Sequence, residues 1–177
     1  MRLDLFRKAE FERGAWLPKE ALWLIVSGLF VESWLPGSGW RVALLRIFGA
    51  RMGRGIVVKP GVKVKFPWRL CVGDYSWIGE RAWIDNLGQV TIGSHVCVSQ
   101  GAYLCTGSHD WSSKFFDLVV EPITVSDHAW ICASTTLGPG SNIGRGAVVT
   151  MGGAVSGKID DWTIWTRGGT RPRRMKP

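Results

Sequence analysis

Residues 72–89 read VGDYSW, IGERAW and IDNLGQ, three hexapeptides that each begin with an aliphatic residue. The same period returns at 92–109 as IGSHVC, VSQGAY and LCTGSH, and at 125–160 as VSDHAW, ICASTT, LGPGSN, IGRGAV, VTMGGA and VSGKID. All twelve first positions are Ile, Leu or Val, and the second and fifth positions are mostly small. This pattern predicts short strands that meet at tight corners, with the aliphatic side chains pointing inward.

The spacing of the repeats predicts how the strands are arranged. Three hexapeptides form one triangular coil of 18 residues, and stacked coils bury their aliphatic columns in a continuous core. The step from Val72 to Ile92 is 20 residues, which predicts a two-residue bulge, and the step from Ile92 to Val125 is 33, which predicts an extruded loop at 109–123. A weaker upstream copy (MGRGIV, VKPGVK and VKFPWR) extends the predicted parallel β-helix to 52–160. A β-sandwich would show period two instead.

The segment 1–51 has the apolar pattern of a short helical region. A first helix is predicted at about 18–33. Its broad apolar face consists of Leu22, Trp23, Ile25, Val26, Leu29 and Phe30. A second helix is predicted at about 40–48, and its polar side carries Arg41 and Arg46.

Two roles are open for this segment. The first coil of a β-helix needs a cap, which the helices would supply. Alternatively, the segment docks on a membrane surface, because basic residues lie near the tryptophans Trp16, Trp23, Trp34 and Trp40. Its longest apolar stretch, 21–31, is shorter than the ~20 residues that cross a bilayer, so no transmembrane span is predicted.

Composition restricts the compartment and the partner. The 177 residues carry a net charge of +8, which favours an anionic partner. Cys71, Cys97, Cys105 and Cys132 form no CxxC pair and have no metal-type spacing, and the charged start has no secretory signal. A reduced, cytoplasmic protein is therefore predicted. The basic tail, 161–177, either holds phosphate groups or solubilises the chain. The sequence contains no nucleic-acid-binding motif, so nucleic acid is not an expected partner.

The three histidines differ in their surroundings. His95 and His128 occupy the fourth place of their hexapeptides, a corner position, and are predicted to be solvated turn residues. His109 lies where the long loop begins, in CTGSHDW. Because a loop leaving a rigid scaffold is a common place for catalytic groups, His109 is the candidate catalytic residue.

CTGSHDW followed by a loop and EPITVSDHAWI resembles the colanic-acid and exopolysaccharide acetyltransferases, within the wider group that includes maltose and galactoside acetyltransferases. LLRIFGARMG and FPWRLCVGDYSWIGERAWIDNL extend the resemblance over most of the chain. It implies a homotrimer that transfers an acetyl group from acetyl-CoA to a sugar hydroxyl in exopolysaccharide or glycolipid biosynthesis. It also implies a left-handed β-helix, although parallel crossovers are usually right-handed.

The resemblance also implies roles for individual residues around the acceptor. His109 would be the general base that takes the proton from the sugar hydroxyl. Asn86 matches an asparagine that lines the acceptor pocket and orients the reacting groups; an ordinary bulge residue is an equal alternative. Asp85 would bind acceptor hydroxyls, and Asp110 and Trp111 would lie beside the acceptor, where Asp110 could also fix the His109 tautomer.

The acetyl-CoA groove is implied in the same way, along the β-helix between two subunits. Trp130 would pack on the pantetheine arm, and the backbone N–H of Ala133 would face the thioester. Later contacts fall on Met151, Gly152 and Ser156, of which Met151 departs from the small residue usual in the family. The CoA phosphates would meet the basic tail, and the residues assigned to them are Arg167 and Arg171.

Two other classes of function remain open. One is a non-catalytic trimeric scaffold of a polysaccharide assembly complex, which would use the basic charge and the Trp-rich N-terminal segment. The other is a zinc carbonic anhydrase of the β-helix type, which needs three converging histidines including a close pair; the spacings here are 14 and 19. No metal is therefore expected. The acceptor remains open between a free, a nucleotide-linked and a lipid-linked sugar, the last at the inner face of the membrane, and the donor between acetyl-CoA and a longer acyl-CoA.

Overall fold

The structure is a computed structural model that describes Asp4 and residues 11–174. Two α-helices, α1 (Leu17–Val26) and α2 (Gly39–Ile47), a π-helical turn (Ser27–Val31) and a 3-10 turn (Pro67–Arg69) accompany short strands. The strands are β1 (Arg51–Met52), β2 (Val57–Val58), β3 (Lys63–Val64), β4 (Leu70–Val72), β5 (Trp77–Ile78), β6 (Trp83–Asp85), β7 (Val90–Ile92), β8 (Cys97–Val98), β9 (Tyr103–Cys105), β10 (Gly107–His109), β11 (Leu118–Val120), β12 (Ile123–Val125), β13 (Trp130–Ile131), β14 (Thr136–Leu137), β15 (Asn142–Ile143), β16 (Val148–Val149), β17 (Ala154–Val155), β18 (Lys158–Ile159), β19 (Thr163–Thr166) and β20 (Gly169–Pro172).

The strands form the three faces of a parallel β-helix. Sheet A has the order β1-β4-β7-β12-β15-β18, sheet B the order β2-β5-β8-β13-β16-β19-β20, and sheet C the order β17-β14-β9-β6-β3. Each strand pairs with its counterpart in the next coil, and only β20 runs antiparallel within these sheets. The predicted parallel β-helix is therefore confirmed.

The core consists of the aliphatic columns that the hexapeptides predict. In sheet A, Val72, Ile92, Val125 and Ile143 are aligned from coil to coil. All twelve first positions are buried, with at most 8% of the residue exposed. Full burial of an aliphatic side chain contributes about 1.5–3 kcal/mol. The stacked columns are therefore the main source of stability.

The length of the coils changes along the chain. The aligned positions in sheet A are separated by 20 residues between β4 and β7, 33 between β7 and β12, and 18 between β12 and β15, as predicted. The final step, from Ile143 to Ile159, is only 16, because Val155 and Ile159 are four residues apart rather than six. The β-helix also continues beyond 160: β19 aligns Trp165 with Val149, and β20 folds back on β19. This end differs from the predicted basic tail at 161–177, since Trp165 extends the sheet B column.

One edge of the prism carries a column of exposed rings. Tyr75, His95, His128 and Trp162 adopt positive φ at the corner between sheets A and B. The ring centroids of Tyr75 and His95 are 5.4 Å apart, and those of His95 and His128 are 5.1 Å apart. Both histidines are exposed, in agreement with the prediction that they are solvated turn residues.

The N-terminal helices pack against the first coil through a narrow contact. Trp23 and Val31 are fully buried, and Trp23 Nε1 donates a hydrogen bond to the Val64 carbonyl over 2.9 Å. The Trp23 ring lies 5.0 Å from the ring of Phe48 at the end of α2. These contacts attach α1 to β3 and to the end of α2.

The predicted broad apolar face of the first helix is present but mostly exposed. Trp23 is buried and Val26 packs against the core. The other apolar side chains remain exposed: Leu22, Leu24, Ile25, Leu29 and Phe30. The placement of Arg41 on a polar side is wrong. Arg41 is fully buried, and its guanidinium donates to the carbonyls of Val31, Ser33, Leu35 and Gly37, because the connection between the helices wraps around it.

Candidate active site

The candidate catalytic histidine ends the first strand of a hairpin that leaves the β-helix between sheet C and sheet A. Strands β10 and β11 pair antiparallel, with His109 opposite Leu118. The half-buried ring of His109 stacks on Phe116, with centroids 4.0 Å apart and an interplanar angle of 1°. Its Nδ1 lies 2.8 Å from the Phe116 carbonyl oxygen. The hairpin therefore fixes both the position and the rotation of this ring.

The hydrogen bond to Phe116 determines the tautomer of His109. A carbonyl oxygen only accepts hydrogen bonds, so Nδ1 carries the proton and donates it. In this neutral tautomer the lone pair is on Nε2, which is the nitrogen that would accept a proton. The backbone carbonyl of Phe116 thus orients the ring of His109. Sequence reasoning missed this group, because no side chain marks it.

Asp110 bonds to the hairpin turn rather than to the His109 ring, and Trp111 is exposed. Asp110 Oδ1 accepts hydrogen bonds from the backbone N–H of Ser112 at 2.8 Å and from its hydroxyl at 2.6 Å. These bonds from Ser112, with a further one from the Ser113 backbone, lower the pKa of Asp110. Asp110 therefore shapes the turn of the hairpin, and the suggestion that it fixes the tautomer is replaced by Phe116. Trp111 is 83% exposed near the hairpin tip.

Asn86 is fully buried at the bulge between sheets C and A. Its Oδ1 accepts from the Phe66 backbone N–H at 2.9 Å, and its Nδ2 donates to the carbonyls of Phe66 and Arg69 at 2.7 and 3.0 Å. These bonds join the bulge of one coil to the preceding coil. The geometry favours a structural role for Asn86 in the bulge over a role in lining an open acceptor pocket.

Asp85 belongs to a polar cluster on the outer face of sheet C. Its Oδ1 lies 3.0 Å from Lys65 Nζ, and its Oδ2 accepts a hydrogen bond from the Tyr103 hydroxyl at 3.1 Å. Burial, followed by the neighbouring Cys105 and the Asp85 charge, raises the pKa of Tyr103 above its usual range. Sequence reasoning missed Lys65 and Tyr103, although Lys65, Asp85 and Cys105 follow one another at a constant spacing of 20 residues.

Trp130 lies on the outer face of sheet B beside an open groove. The indole is 46% exposed, and its Nε1 donates to Ser99 Oγ over 2.9 Å. The groove has a volume of about 420 Å³ and is lined by Lys59, Trp77, Glu80, Cys97, Ser99 and Gln100, among others. Its walls come from β5, β8 and the residues that follow them, with Lys59 after β2, so it crosses neighbouring coils.

Four of the residues assigned to acetyl-CoA meet at the corner between sheets B and C. Gly152 donates its N–H to the Ala133 carbonyl at 2.9 Å, and the guanidinium of Arg167 donates to the Gly152 carbonyl at 2.9 Å. Met151 is 73% exposed at the same corner. Ala133, Met151 and Arg167 follow the aligned positions of β13, β16 and β19 by the same number of residues, so they form a column.

The remaining assigned residues lie elsewhere. Ser156 follows β17, at the corner between sheets C and A that also carries the His109 hairpin. Arg171 is exposed on β20, opposite Ile164 of β19. A single chain therefore divides the candidate site between two edges of the prism, with the face of sheet C between them.

The described part of the chain has neither a metal-binding cluster nor a membrane-spanning helix. Residues 11–174 and Asp4 contain no group of three His, Cys, Asp or Glu side chains that could hold a metal ion. None of the helices in these residues is both long and apolar enough to span a bilayer.

Known proteins resemble this chain in both sequence and fold. No protein-family model matches it. It is 41% identical over 139 residues to the protein assigned as colanic acid biosynthesis acetyltransferase WcaF in Escherichia coli (strain K12), covering 77% of this chain and 76% of that protein. An assigned acetyltransferase of Schizosaccharomyces pombe is 31% identical over 88 residues, covering 48% of this chain and 42% of that protein.

Solved structures share the fold. A hexapeptide-repeat-containing acetyltransferase from Vibrio cholerae, in complex with acetyl-coenzyme A, has a TM-score of 0.79 at 24% identity and covers 97% of this chain and 96% of its own. A galactoside acetyltransferase in complex with coenzyme A has a TM-score of 0.77 at 21% identity, covering 89% and 80%. Because this chain is 41% identical to the Escherichia coli protein over most of both lengths, it belongs to the hexapeptide-repeat family of colanic acid biosynthesis acetyltransferases.

Proposed function

We propose that this protein transfers an acetyl group from acetyl-CoA to a sugar hydroxyl in polysaccharide or glycolipid biosynthesis, with His109 as the general base. The observation that carries the catalytic role is the hydrogen bond from His109 Nδ1 to the Phe116 carbonyl, which puts the lone pair on Nε2. The family and the acetyl-CoA-bound structure of the Vibrio cholerae neighbour support the donor.

In the proposed reaction, Nε2 of His109 takes the hydroxyl proton as the sugar oxygen attacks the thioester carbonyl carbon. A C–O bond forms and the C–S bond breaks. The imidazolium then gives its proton to the CoA thiolate, which leaves as a thiol. Proton transfer by a positioned base contributes roughly 10²–10⁴-fold to such rates. The stacked Phe116 ring and the Nδ1 hydrogen bond hold the imidazole in place, so little ordering is needed at the moment of reaction.

The site is completed by a second copy of the chain in this proposal. His109 and the Ala133–Met151–Arg167 column lie on different edges of one prism, so a neighbouring subunit would bring its column to this hairpin. A closed three-fold assembly provides three equivalent sites of this kind. We expect a mass of three chains of 19.6 kDa in analytical ultracentrifugation; a stable monomer with full activity would contradict the shared site.

The exposed apolar residues of the N-terminal segment support peripheral membrane association and a lipid-linked acceptor. We define the N-terminal apolar surface as Leu24, Ile25, Leu29, Phe30 and Trp34, whose exposed fractions range from 47% to 83%. Charged groups of both signs adjoin it: Lys63 Nζ lies 3.9 Å from Glu32 Oε2, and Arg81 lines a cavity with Trp34, Glu32 and Glu80. Apolar and aromatic residues beside basic groups are typical of helices that lie in the interface of an anionic membrane.

The activity experiment measures thiol release from acetyl-CoA with a panel of pyranosides and glycolipid extracts. His109→Gln is expected to lower kcat by roughly 10²–10⁴-fold while acetyl-CoA binding is retained. Ser108→Ala, on the exposed face of the same strand, is the matched control and is expected to keep wild-type turnover. Equal turnover by His109→Gln and wild type would remove the base from the mechanism. Absence of acetyl-CoA binding in calorimetry would favour the non-catalytic scaffold.

A further inference from the structure

Three successive coils carry an irregular segment at the corner between sheets C and A. The first coil has the 3-10 turn Pro67–Arg69, the second has the bulge 86–89, and the third has the hairpin that carries His109. In a stacked fold each coil is supported by its neighbours. The hairpin therefore stands on the bulge, and the bulge stands on the turn.

The hairpin packs closely on the bulge. Thr106, which precedes the first hairpin strand, is fully buried, and its hydroxyl accepts a hydrogen bond from the Gly88 N–H at 2.8 Å. The side chain of Leu87 lies against Gly107, where an added Cβ would be only 2.6 Å from Leu87 Cδ1. His109 is two residues further along the same strand. A displacement of the bulge would therefore move the strand that carries the catalytic ring.

Arg69 joins the bulge to the start of the described chain, here called the N-terminal strap (residues 11–16). Its Nη1 donates to the Leu87 carbonyl, and its Nη2 donates to the Glu12 carbonyl. The guanidinium also lies 5.1 Å from the centroid of the Phe11 ring. A guanidinium is planar and presents its donors in a fixed fork, so one side chain can hold two carbonyls in a defined relation.

The N-terminal strap has further contacts with the 3-10 turn and the residue before it. Trp68 Nε1 donates to the Arg13 carbonyl over 2.8 Å. The ring of Phe11 stacks on Phe66, with centroids 6.2 Å apart and an interplanar angle of 17°. Helix α1 begins at Leu17, directly after the strap. The N-terminal segment therefore reaches the corner on which the catalytic hairpin stands.

We propose that Arg69 is a positioning residue for acetyl transfer, which ties the bulge under the His109 hairpin to the N-terminal strap. The N-terminal segment then has a part in the reaction besides covering the first coil. Without the guanidinium, the Leu87 carbonyl loses its donor and the bulge can shift. A displacement of about 1 Å at a reacting group can cost about 10²-fold in rate. The effect on rate rests on the proposed role of His109, whereas the effect on the hairpin is measurable without turnover.

The experiment compares four full-length variants. Arg69→Met removes the donors, and Arg69→Lys keeps a cationic donor. Arg54→Met is the matched control, because the Arg54 side chain is 79% exposed at the corner between sheets A and B. Trp68→Phe keeps an aromatic ring and removes only the N–H that bonds to the strap, so it tests the strap with little risk to folding.

Two readouts are combined, at a temperature where urea denaturation shows each variant to be folded. Hydrogen exchange is expected to rise at residues 86–89 and 107–120 in Arg69→Met and not at 130–149, and to rise less in Trp68→Phe. In thiol release from acetyl-CoA, Arg69→Met is expected to lower kcat about 10- to 100-fold with an unchanged KM for acetyl-CoA. Arg69→Lys should recover part of the loss, and Arg54→Met should match wild type in both readouts.

The outcomes separate this inference from the proposed function. If wild type shows no acetyl transfer, the proposed function fails alone, and faster exchange in the hairpin of Arg69→Met still supports the link. Wild-type exchange in the hairpin of Arg69→Met overturns the link, and wild-type kcat in that variant overturns the positioning role. A uniform rise in exchange over the β-helix also overturns it, because Arg69 would then contribute only stability. Wild-type exchange at 86–89 in Trp68→Phe would remove the strap from the proposal.

Discussion

The β-helix and the N-terminal helices contain similar apolar residues but bury them very differently. In the β-helix, Ile131 and Leu137 are fully buried, as are most of the other first positions of the hexapeptides. In the N-terminal segment, Trp23 and Val31 are buried, whereas Leu24 is 63% exposed. A repeating coil supplies its own partners above and below, so its pattern specifies burial. A helix has several faces, and its pattern alone does not specify which partner covers which face.

The largest effect is expected from breaking an aliphatic column. Ile131→Ala leaves a cavity in the centre of sheet B, aligned with Val98 and Val149, and we expect a loss of about 2–5 kcal/mol in the free energy of unfolding. Urea denaturation followed by circular dichroism measures it. The control is Thr124→Ala, an exposed position on β12, which is expected to change little. A loss below about 1 kcal/mol for Ile131→Ala would mean that the columns are not the main source of stability.

A smaller loss is expected from Arg41, whose guanidinium organises the connection between the two helices. Arg41→Met leaves several carbonyls without their donor, and we expect a cost of about 1–3 kcal/mol. Arg46→Met on the same helix is the control, because the Arg46 hydrogen bonds to Met52 and Gly53 are exposed. Hydrogen exchange is expected to rise in residues 27–42 and not in the β-helix; a uniform rise would mean that the two regions unfold together.

Asn86→Ala tests a polar side chain of the β-helix that has a similar structural role. We expect a loss of about 1–3 kcal/mol, because the N–H and carbonyl of Phe66 lose their buried partners. Turnover is expected to recover when the variant is assayed at a temperature where it is folded. If stability were unchanged and kcat fell, Asn86 would act on the acceptor, and the bulge reading would be wrong.

The smallest effect on stability is expected at the N-terminal apolar surface. Leu24→Ser with Ile25→Ser removes exposed side chains, so the free energy of unfolding should stay within about 0.5 kcal/mol of wild type per substitution. Flotation with anionic phosphatidylglycerol vesicles should nevertheless decrease clearly, and Ala21→Ser, also exposed on α1, should float like wild type. A decrease in stability without a change in flotation would indicate that this surface is buried against another protein subunit.

The parts of the fold that the sequence predicts are those in which local pattern and packing coincide. The alignment of Val72, Ile92 and Val125, including the 33-residue step, follows from the spacing alone. The position of His109 in a hairpin was predictable because a long loop interrupts a strict period; its role as the base stays a prediction. The burial of Arg41 was not predictable, because it depends on the path of a connection that has no repeat. The Phe116 carbonyl was also hidden, since every residue carries one and only the hairpin geometry selects it.

The antiparallel β20 has a consequence for how molecules of this protein meet. A stack of parallel coils ends in strands with unpaired N–H and carbonyl groups, to which a second molecule could add its first coil. On sheet B, β20 covers the edge of β19 with a strand of opposite direction, and at the other end Trp23 ties the helices to β3. End-to-end addition in the parallel sense is therefore blocked on sheet B. On this face the chain therefore covers its own last parallel strand, whereas sheet A ends at β18 and sheet C at β17.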